Sequence, residues 1–223
     1  MNTWREALNE HEAVVYIPLT SGLSGACGTA QMLAQEDEFE GKVFVVDNGR
    51  VSTPLHRSVL DALELAEEGY SAGDIKQMLE AARDDMVVYI AVETLEYLKK
   101  GGRVSAATAA IGTILNIKPI LKLTTGLLES HKNCRGMKKA RKEMIELIRQ
   151  DLNETFREQY ENNEVYLLAA TSAEESVSQD WVKEIQESFP NLPVMHDPLT
   201  FGLTCHIGPG GLGIGISCKP KKI

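Results

Sequence analysis

Two serines and two glycines follow an apolar run near the start of the chain, in the stretch AVVYIPLTSGLSGACGTAQMLAQ, residues 13–35. The apolar run has the length of a buried strand, and the residues after Gly25 are typical of a helix. A turn that opens a helix offers unpaired backbone N–H groups and the positive end of the helix dipole, which favour a bound anion. Ser21 and Ser24 could donate to such an anion, or shape the turn and cap the helix. The residues alone leave both interpretations open.

A serine on a strand-to-helix turn is also where many acyl hydrolases carry their nucleophile. The usual sequence pattern has glycines two positions before and two positions after that serine. Ser21 has leucines at both positions, and Ser24 has a glycine before it but an alanine after it. Asp47 and His206 follow in the order that hydrolases use, although a chain of this length supplies such residues by chance. A serine acyl hydrolase that uses Ser21 and His206 is therefore an alternative function.

A second glycine-rich segment, CHIGPGGLGIGIS, occupies residues 205–217. Gly208, Gly210 and Gly213 match the G-x-G-x-x-G pattern of dinucleotide sites, which requires a following helix and an acidic residue about 20 positions later. Here a strand-like run follows, and no acidic residue does. We therefore expect the glycines to allow a close backbone approach, to a ligand or to a packed element. His206 is then a core histidine, a donor to a ligand or a general base.

Two further segments combine basic residues with small apolar ones. Arg103 follows paired glycines in LKKGGRVSAATAAIGTILNIKPIL, residues 98–121, whose small apolar part could line a narrow channel or pack against a helix. Arg135 belongs to the basic segment NCRGMKKARKEM, residues 133–144. Such a segment is either a solvated helix face or a docking site for an acidic partner or a phosphate.

Composition excludes several classes of protein. The 223 residues carry a formal net charge of −9, whereas a nucleic-acid-binding protein needs a basic face. No apolar run is long enough to span a bilayer, and the charged N-terminus lacks the apolar core of a signal peptide. The four cysteines are widely spaced, and neither they nor the histidines have metal-ligand spacing. These features predict a cytoplasmic protein with reduced thiols, no metal site, no nucleic-acid partner and no stable membrane insertion.

The elements that must position these residues alternate between strands and helices as far as about residue 85. Strands are predicted at residues 13–19 and 42–48, and helices at 26–41, 55–71 and 71–85, with Leu60, Leu63 and Leu65 among the inner positions of the second helix. This order predicts parallel strands joined by crossover helices. Only two strong strands occur here, fewer than a doubly wound sheet usually has, so we expect this layer to be small or incomplete.

The rest of the chain predicts a different sheet. A hairpin at residues 118–130 stands among strands at 86–92, 164–171, 192–199 and 211–218, with helices at 94–102, 137–160 and 172–189. A hairpin among crossover units implies a mixed sheet. We therefore predict two α/β domains, residues 1–85 with a small parallel sheet and residues 86–223 with a mixed sheet.

Six segments together resemble the DegV family of bacterial fatty-acid-binding proteins: LTSGLSG, FVVDN, LEYLKKGGRVS, GTILNIKPIL, CRGMKKA and HIGPGGLGI. They occur in the order and at about the spacings of that family, over nearly the whole chain. The resemblance implies a two-domain α/β protein that holds a long-chain fatty acid between its domains. It also implies a carrier without catalytic activity or cofactor, which presents the fatty acid to a separate ATP-dependent kinase subunit. That subunit makes acyl-phosphate for phospholipid synthesis.

The resemblance also assigns roles to residues. It implies that Ser21 binds the fatty-acid carboxylate with support from His206, and that Arg103 and Arg135 contact the kinase subunit and its phosphates. The acyl tunnel would use four apolar residues, namely Leu23, Ile111, Leu115 and Leu121. Family members begin with a further segment that supplies a first strand and a second carboxylate ligand, and this chain is expected to lack it. Another amphiphile in place of a fatty acid is a further alternative.

Overall fold

The computed structural model of the protein describes residues 1–104, 108, 116–124 and 127–223, and the strands in these ranges form two sheets. The first sheet pairs two short strands in parallel, β1 (Val14–Tyr16) and β2 (Val43–Val45). The helices in this part of the chain are α1 (Asn2–Leu8), α2 (Ala26–Leu33), α3 (Thr53–Glu67) and α4 (Ala72–Ala81), of which α1, α2 and α4 contact this sheet. Ser71 caps α4, because its Oγ accepts a hydrogen bond of 3.2 Å from the N–H of Asp74.

The second sheet has six strands in the order β5-β4-β3-β8-β6-β7. They are β3 (Met86–Ala91), β4 (Ile117–Thr124), β5 (Leu127–Arg135), β6 (Val165–Thr171), β7 (Val194–Pro198) and β8 (Leu212–Cys218). All neighbours are antiparallel except β6 and β7, so the predicted mixed sheet with a hairpin is confirmed. The accompanying helices are α5 (Glu96–Gly101), α6 (Met137–Asn153), α7 (Arg157–Glu161), α8 (Glu175–Ser188) and α9 (Phe201–Ile207). The α/β fold class is as predicted; the division into two domains at residue 85 stays a prediction.

The two faces of the six-stranded sheet have different coverings, because successive side chains of a strand point to opposite faces. One face packs against α6 and α8 in the largest apolar cluster of the described residues, with Met144, Ile148 and Trp181 fully buried. The opposite face carries Ile90, Leu121 and Leu123, which belong to a second cluster with α5 and α9. This second face forms the floor of the site described below.

The glycines of β8 allow the close backbone approach that the sequence predicts. A Cβ atom on Gly215 would lie 2.7 Å from the carbonyl oxygen of Val87, and one on Gly213 would lie 3.1 Å from that of Ala170. The elements approached are therefore β3 and β6, the two neighbours of β8 in the sheet. Glycine keeps the floor flat at these positions.

The inner face of α3 differs from the prediction. Leu65 is buried, but Leu63 is 55% exposed, and the buried face carries Arg57, Ser58 and Asp61 instead. These polar side chains meet Arg50, which is fully buried and donates to Ser58 Oγ at 3.1 Å. The leucine pattern predicted the wrong buried face, because this helix is held by a buried cluster of polar side chains. Hydrophobic periodicity does not detect such a cluster.

Helix α9 was not predicted, and the predicted helices 26–41 and 137–160 are each shorter than expected, the latter being divided into α6 and α7. Helix α9 has seven residues, too few for a clear apolar period, and contains Gly202. This helix is important for the site described below, because it carries His206. Among the described residues, no helix combines the length and the apolar character that crossing a bilayer requires.

Candidate functional site

A cavity of about 790 Å³ lies between the second face of the six-stranded sheet and the residues around α2 and α3. This volume lies within the range of small-molecule sites, roughly 300–1,000 Å³. Its floor is formed by Val88, Ile90, Leu123, Leu128, Ala170 and Gly213, and its opposite wall by Ile17, Leu19, Leu23, Val51, Pro54, Leu55 and Val59. The lining is therefore mostly aliphatic.

The strand register shows that the cavity is elongated. Asp197, Ala170, Gly213 and Ile90 are consecutive partners across β7, β6, β8 and β3, and all four line the cavity. Leu128 on β5 extends the lining to the other edge of the sheet. Strands lie about 4.8 Å apart, so the five gaps between six strands span about 24 Å. An extended aliphatic chain suits this shape.

Three polar residues, Ser24, Arg103 and His206, line one part of the cavity, which we call the basic end. Arg103 Nε donates to the carbonyl oxygen of Leu23 at 3.2 Å, and its Nη1 donates to that of Gly101. Gly101 is also where His206 packs, since a Cβ atom there would collide with the imidazole Nδ1. The basic end therefore joins the turn before α2 to α5 and α9. Within the described residues, His206 Nδ1 is buried without a hydrogen-bond partner.

Ser21 lies beside the basic end but outside the cavity lining. Its Oγ donates to Asp47 Oδ2 at 2.5 Å, and its backbone N–H donates to Asp47 Oδ1 at 3.2 Å. Arg83 forms an ion pair with the same carboxylate at 3.3 Å. Ser24 Oγ accepts from the N–H of Ala26 at 3.2 Å within the turn, whereas the N-cap of α2 is Gly25 and has no side-chain cap, so the interpretation of Ser24 as the helix cap is wrong. The hydroxyl of Ser21 is thus the donor to Asp47.

The pKa of Asp47 should report this contact. Partial burial would raise that pKa, but the hydrogen bonds from Ser21 and the ion pair with Arg83 outweigh burial and lower it. A depressed carboxyl pKa adds stability above the unfolded value of about 3.9, and this stability is lost as pH falls through the folded pKa. We expect Ser21→Ala to raise the pKa of Asp47, as measured by carbon NMR of its carboxyl group. An unchanged pKa would show that the Ser21 hydroxyl contributes nothing to the lowered pKa of Asp47.

The other predicted residues occupy different positions. Leu23 lines the cavity, whereas Leu121 is buried beside the lining residues without being one of them. Ile111 and Leu115 fall outside the described residues. Arg135 is exposed at the end of β5, away from the cavity lining.

The hydrolase alternative gains no support from Ser21 and His206. In the part of the chain that the structure describes, no hydrogen bond joins them, because Ser21 contacts Asp47 and His206 packs on Gly101. A serine nucleophile needs a base within hydrogen-bond reach.

Sequence reasoning missed a second polar group of the cavity, Ser52, His56 and Asp197. His56 Nδ1 lies 3.2 and 3.1 Å from the two carboxylate oxygens of Asp197, 141 residues along the chain. No local pattern links residues so far apart. The only signal was the Ser-Thr-Pro start of α3, since proline favours the first turn of a helix.

Comparisons with known proteins find relatives along nearly the whole chain. The family model described as "Uncharacterised protein, DegV family" matches residues 1–219. A DegV domain-containing protein of Deinococcus radiodurans is 32% identical over 214 residues, which cover 96% of this chain and 73% of that protein. A fatty acid-binding protein of Thermotoga maritima is 26% identical over 215 residues, covering 96% of this chain and 72% of its own.

Solved structures show the same fold. The fatty-acid-binding DegV family protein of Thermus thermophilus superposes with a TM-score of 0.83 at 33% identity, over 97% of this chain and 75% of that chain. A stearic-acid-binding protein of Eubacterium ventriosum gives a TM-score of 0.83 at 19% identity, over 98% of this chain and 74% of that one. The second likeness bears on the fold alone.

Proposed function

Because this chain belongs to the DegV family, we propose that it binds a long-chain fatty acid in the cavity above the six-stranded sheet. The single observation that carries the proposal is the shape of that cavity, which is elongated and aliphatic with a basic end. Relatives that carry the name of fatty-acid-binding proteins support it. The tail would lie along the floor of the sheet, and the carboxylate would lie at the basic end.

Burial of the tail supplies most of the binding free energy. Each methylene removed from water contributes about 0.8 kcal/mol, so a long saturated chain gains on the order of 10 kcal/mol before the costs of binding. Ile90, Leu123 and Val88 supply apolar contacts along the floor. The tail therefore supplies most of the affinity, and the polar groups determine the orientation of the ligand in the cavity.

The carboxylate needs donors, because a buried charge without hydrogen bonds is costly. Arg103 supplies a cation at the basic end, and hydrogen bonds between charged partners are about twice as strong as neutral ones. His206 Nδ1 is a buried polar atom in need of a partner there. A serine hydroxyl has one proton, so Ser21 binds the ligand only by releasing Asp47. We propose this exchange of partners as the role of Ser21, with His206 in support.

The test is palmitate binding by Ser21→Ala and His206→Ala, measured by isothermal titration calorimetry. A hydrogen bond to a charged group contributes about 1.5–3 kcal/mol, so His206→Ala should weaken binding by roughly 10- to 100-fold. Ser21→Ala should weaken binding less, because the Ser21 hydroxyl gives up its bond to Asp47 when it binds the ligand. Ser71→Ala is the matched control, because Ser71 caps α4 outside the cavity lining. Palmitate affinity that is equal in Ser21→Ala and wild type would remove Ser21 from the site. A wild-type protein that binds no fatty acid would refute the proposed function.

We further propose that the protein is a carrier for a separate ATP-dependent kinase subunit, which phosphorylates the bound carboxylate for phospholipid synthesis. Arg103 lines the basic end, where a phosphate joined to the carboxylate would meet its guanidinium. Arg135 is exposed beside a run of lysines at the start of α6, a surface suited to an acidic partner. On this proposal the carrier supplies the acyl group, and the partner supplies ATP and the catalytic groups.

A further inference from the structure

We infer that His56 and Asp197 form a second ligand subsite of the cavity, which binds a hydroxyl group at the far end of a fatty-acid tail. Both residues line the cavity, and their side chains contact each other there. The inference rests on the proposed function and makes its substrate class more specific. The ligand would be a long-chain fatty acid that carries a terminal hydroxyl.

The pair of His56 and Asp197 lies in a different part of the cavity from the basic end. Asp197 belongs to the edge strand β7, whereas Arg103 follows α5, the helix that comes after β3. Three strand spacings separate β7 from β3 in the sheet, a distance of about 14 Å. Gly213 and Ala170, on the two strands between them, line the same cavity. A tail whose carboxylate lies at the basic end therefore reaches the pair by running across these two residues.

Asp197 keeps the capacity to accept a further hydrogen bond from a ligand. His56 Nδ1 lies 3.2 and 3.1 Å from the two carboxylate oxygens, and it is the donor, because an ionised carboxylate only accepts. A carboxylate has about four acceptor sites, so a single imidazole N–H leaves others open. Within the described residues, His56 is the only hydrogen-bond partner of this carboxylate. A ligand hydroxyl can therefore donate to Asp197 without displacing His56.

The charges around the pair favour a hydroxyl over a charged group. A second carboxylate on the tail would be repelled by Asp197, since like charges destabilise each other at short distance. A cation would meet the positive end of the α3 dipole, because His56 lies in the first turn of that helix. A hydroxyl carries no charge and supplies the donor that a carboxylate accepts.

A tail that ends in a methyl group suits this part of the cavity less well. The side chains of His56 and Asp197 are 49% and 30% exposed, so water reaches both. A methyl group against the pair would remove that water and offer no hydrogen bond in return, whereas a hydroxyl would replace it. A site that bonds a hydroxyl discriminates against the analogue that lacks it. Because the pair is only partly buried, we expect a preference of about 10-fold, the lower value for a hydrogen bond to a charged group.

The experiment compares palmitate, ω-hydroxypalmitate and α-hydroxypalmitate by isothermal titration calorimetry. We expect the wild-type protein to bind ω-hydroxypalmitate about 10-fold more tightly than palmitate. The α-hydroxyl lies beside the carboxylate, so α-hydroxypalmitate is the control ligand for a hydroxyl at the basic end. Asp197→Leu should abolish the preference for the ω-hydroxyl and leave the affinities for the other two ligands unchanged. Asp180→Leu is the control variant, because Asp180 is exposed on α8 and does not line the cavity.

His56 is a positioning residue in this subsite, because it acts by holding the carboxylate of Asp197. His56→Ala should therefore reduce the preference for ω-hydroxypalmitate. His56→Gln should retain it, because the glutamine amide also offers an N–H donor to Asp197.

The outcomes separate this inference from the proposed function. Loss of the preference in Asp197→Leu with unchanged palmitate binding would support the inference, since that variant is then folded. A wild-type protein that binds palmitate but prefers no ω-hydroxyl would overturn the inference alone, as would a preference that persists in Asp197→Leu. If Asp197→Leu binds no ligand at all, His56→Ala decides, and an unreduced preference there would overturn the inference. A wild-type protein that binds none of the three ligands counts against the proposed function instead.

Discussion

Ala170→Trp should weaken palmitate binding on the order of 100-fold. Ala170 lies on the cavity floor, between Asp197 on β7 and Gly213 on β8. An indole at this position would displace a stretch of the tail about four methylenes long, which corresponds to roughly 3 kcal/mol of lost burial. Calorimetric titration with palmitate measures the change.

The control for this substitution is Ala66→Trp. Ala66 is exposed on α3, so an indole there adds the same side chain without entering the cavity. We expect Ala66→Trp to bind palmitate like wild type. If Ala170→Trp also binds like wild type while its melting temperature stays normal, then the tail does not lie on this floor.

Gly215→Ala should lower the free energy of unfolding by about 3 kcal/mol, at the upper end of the usual cost of overpacking. The added Cβ would lie 2.7 Å from the Val87 carbonyl oxygen and 3.3 Å from Val88 Cα. Both atoms belong to the backbone of a neighbouring strand, so no side-chain rotation relieves the collision. Because Val88 lines the cavity, the substitution should also lower palmitate affinity. Urea unfolding measures the first effect.

Gly28→Ala is the matched control for that substitution. Gly28 lies within α2, and a Cβ atom there would meet nothing within 4 Å. Alanine is preferred over glycine in a helix interior by up to about 1 kcal/mol, so this change should stabilise the protein slightly. Equal stability of the two variants would contradict the account of the β8 glycines.

Strand positions were predictable because their residues are almost wholly apolar over short runs. The predicted bounds of β3 and β6, taken from the runs MVVYIAV and EVYLLAAT, agree with the structure to within one residue at each end. The hairpin of β4 and β5 was predicted from two β-rich runs. The contact between Ser21 and Asp47 was also within reach of the sequence. Each residue follows one of two neighbouring parallel strands, whose carboxyl ends meet at one edge of a sheet.

The polar interior was beyond prediction. Arg and Asp side chains are usually exposed, so the sequence gives no reason to expect Arg50 and Asp61 in the interior. Only the three-dimensional packing of α3 against the sheet brings the two together. The pair His56 and Asp197 depends in the same way on where β7 ends relative to α3. The positive φ of Ser52 at the start of α3 is likewise a backbone conformation that hydrophobic periodicity does not encode. Hydrophobic patterns therefore located the floor of the site, but not its chemistry.

Co-crystallisation with palmitate tests the central claim most directly. The account predicts continuous electron density along the cavity floor, with the tail against Ile90 and Leu123 and the carboxylate at the basic end near Arg103 and His206. It also predicts that the Ser21 hydroxyl has turned from Asp47 to the carboxylate. Density for palmitate elsewhere on the protein, with this cavity filled by water or side chains, would contradict the account.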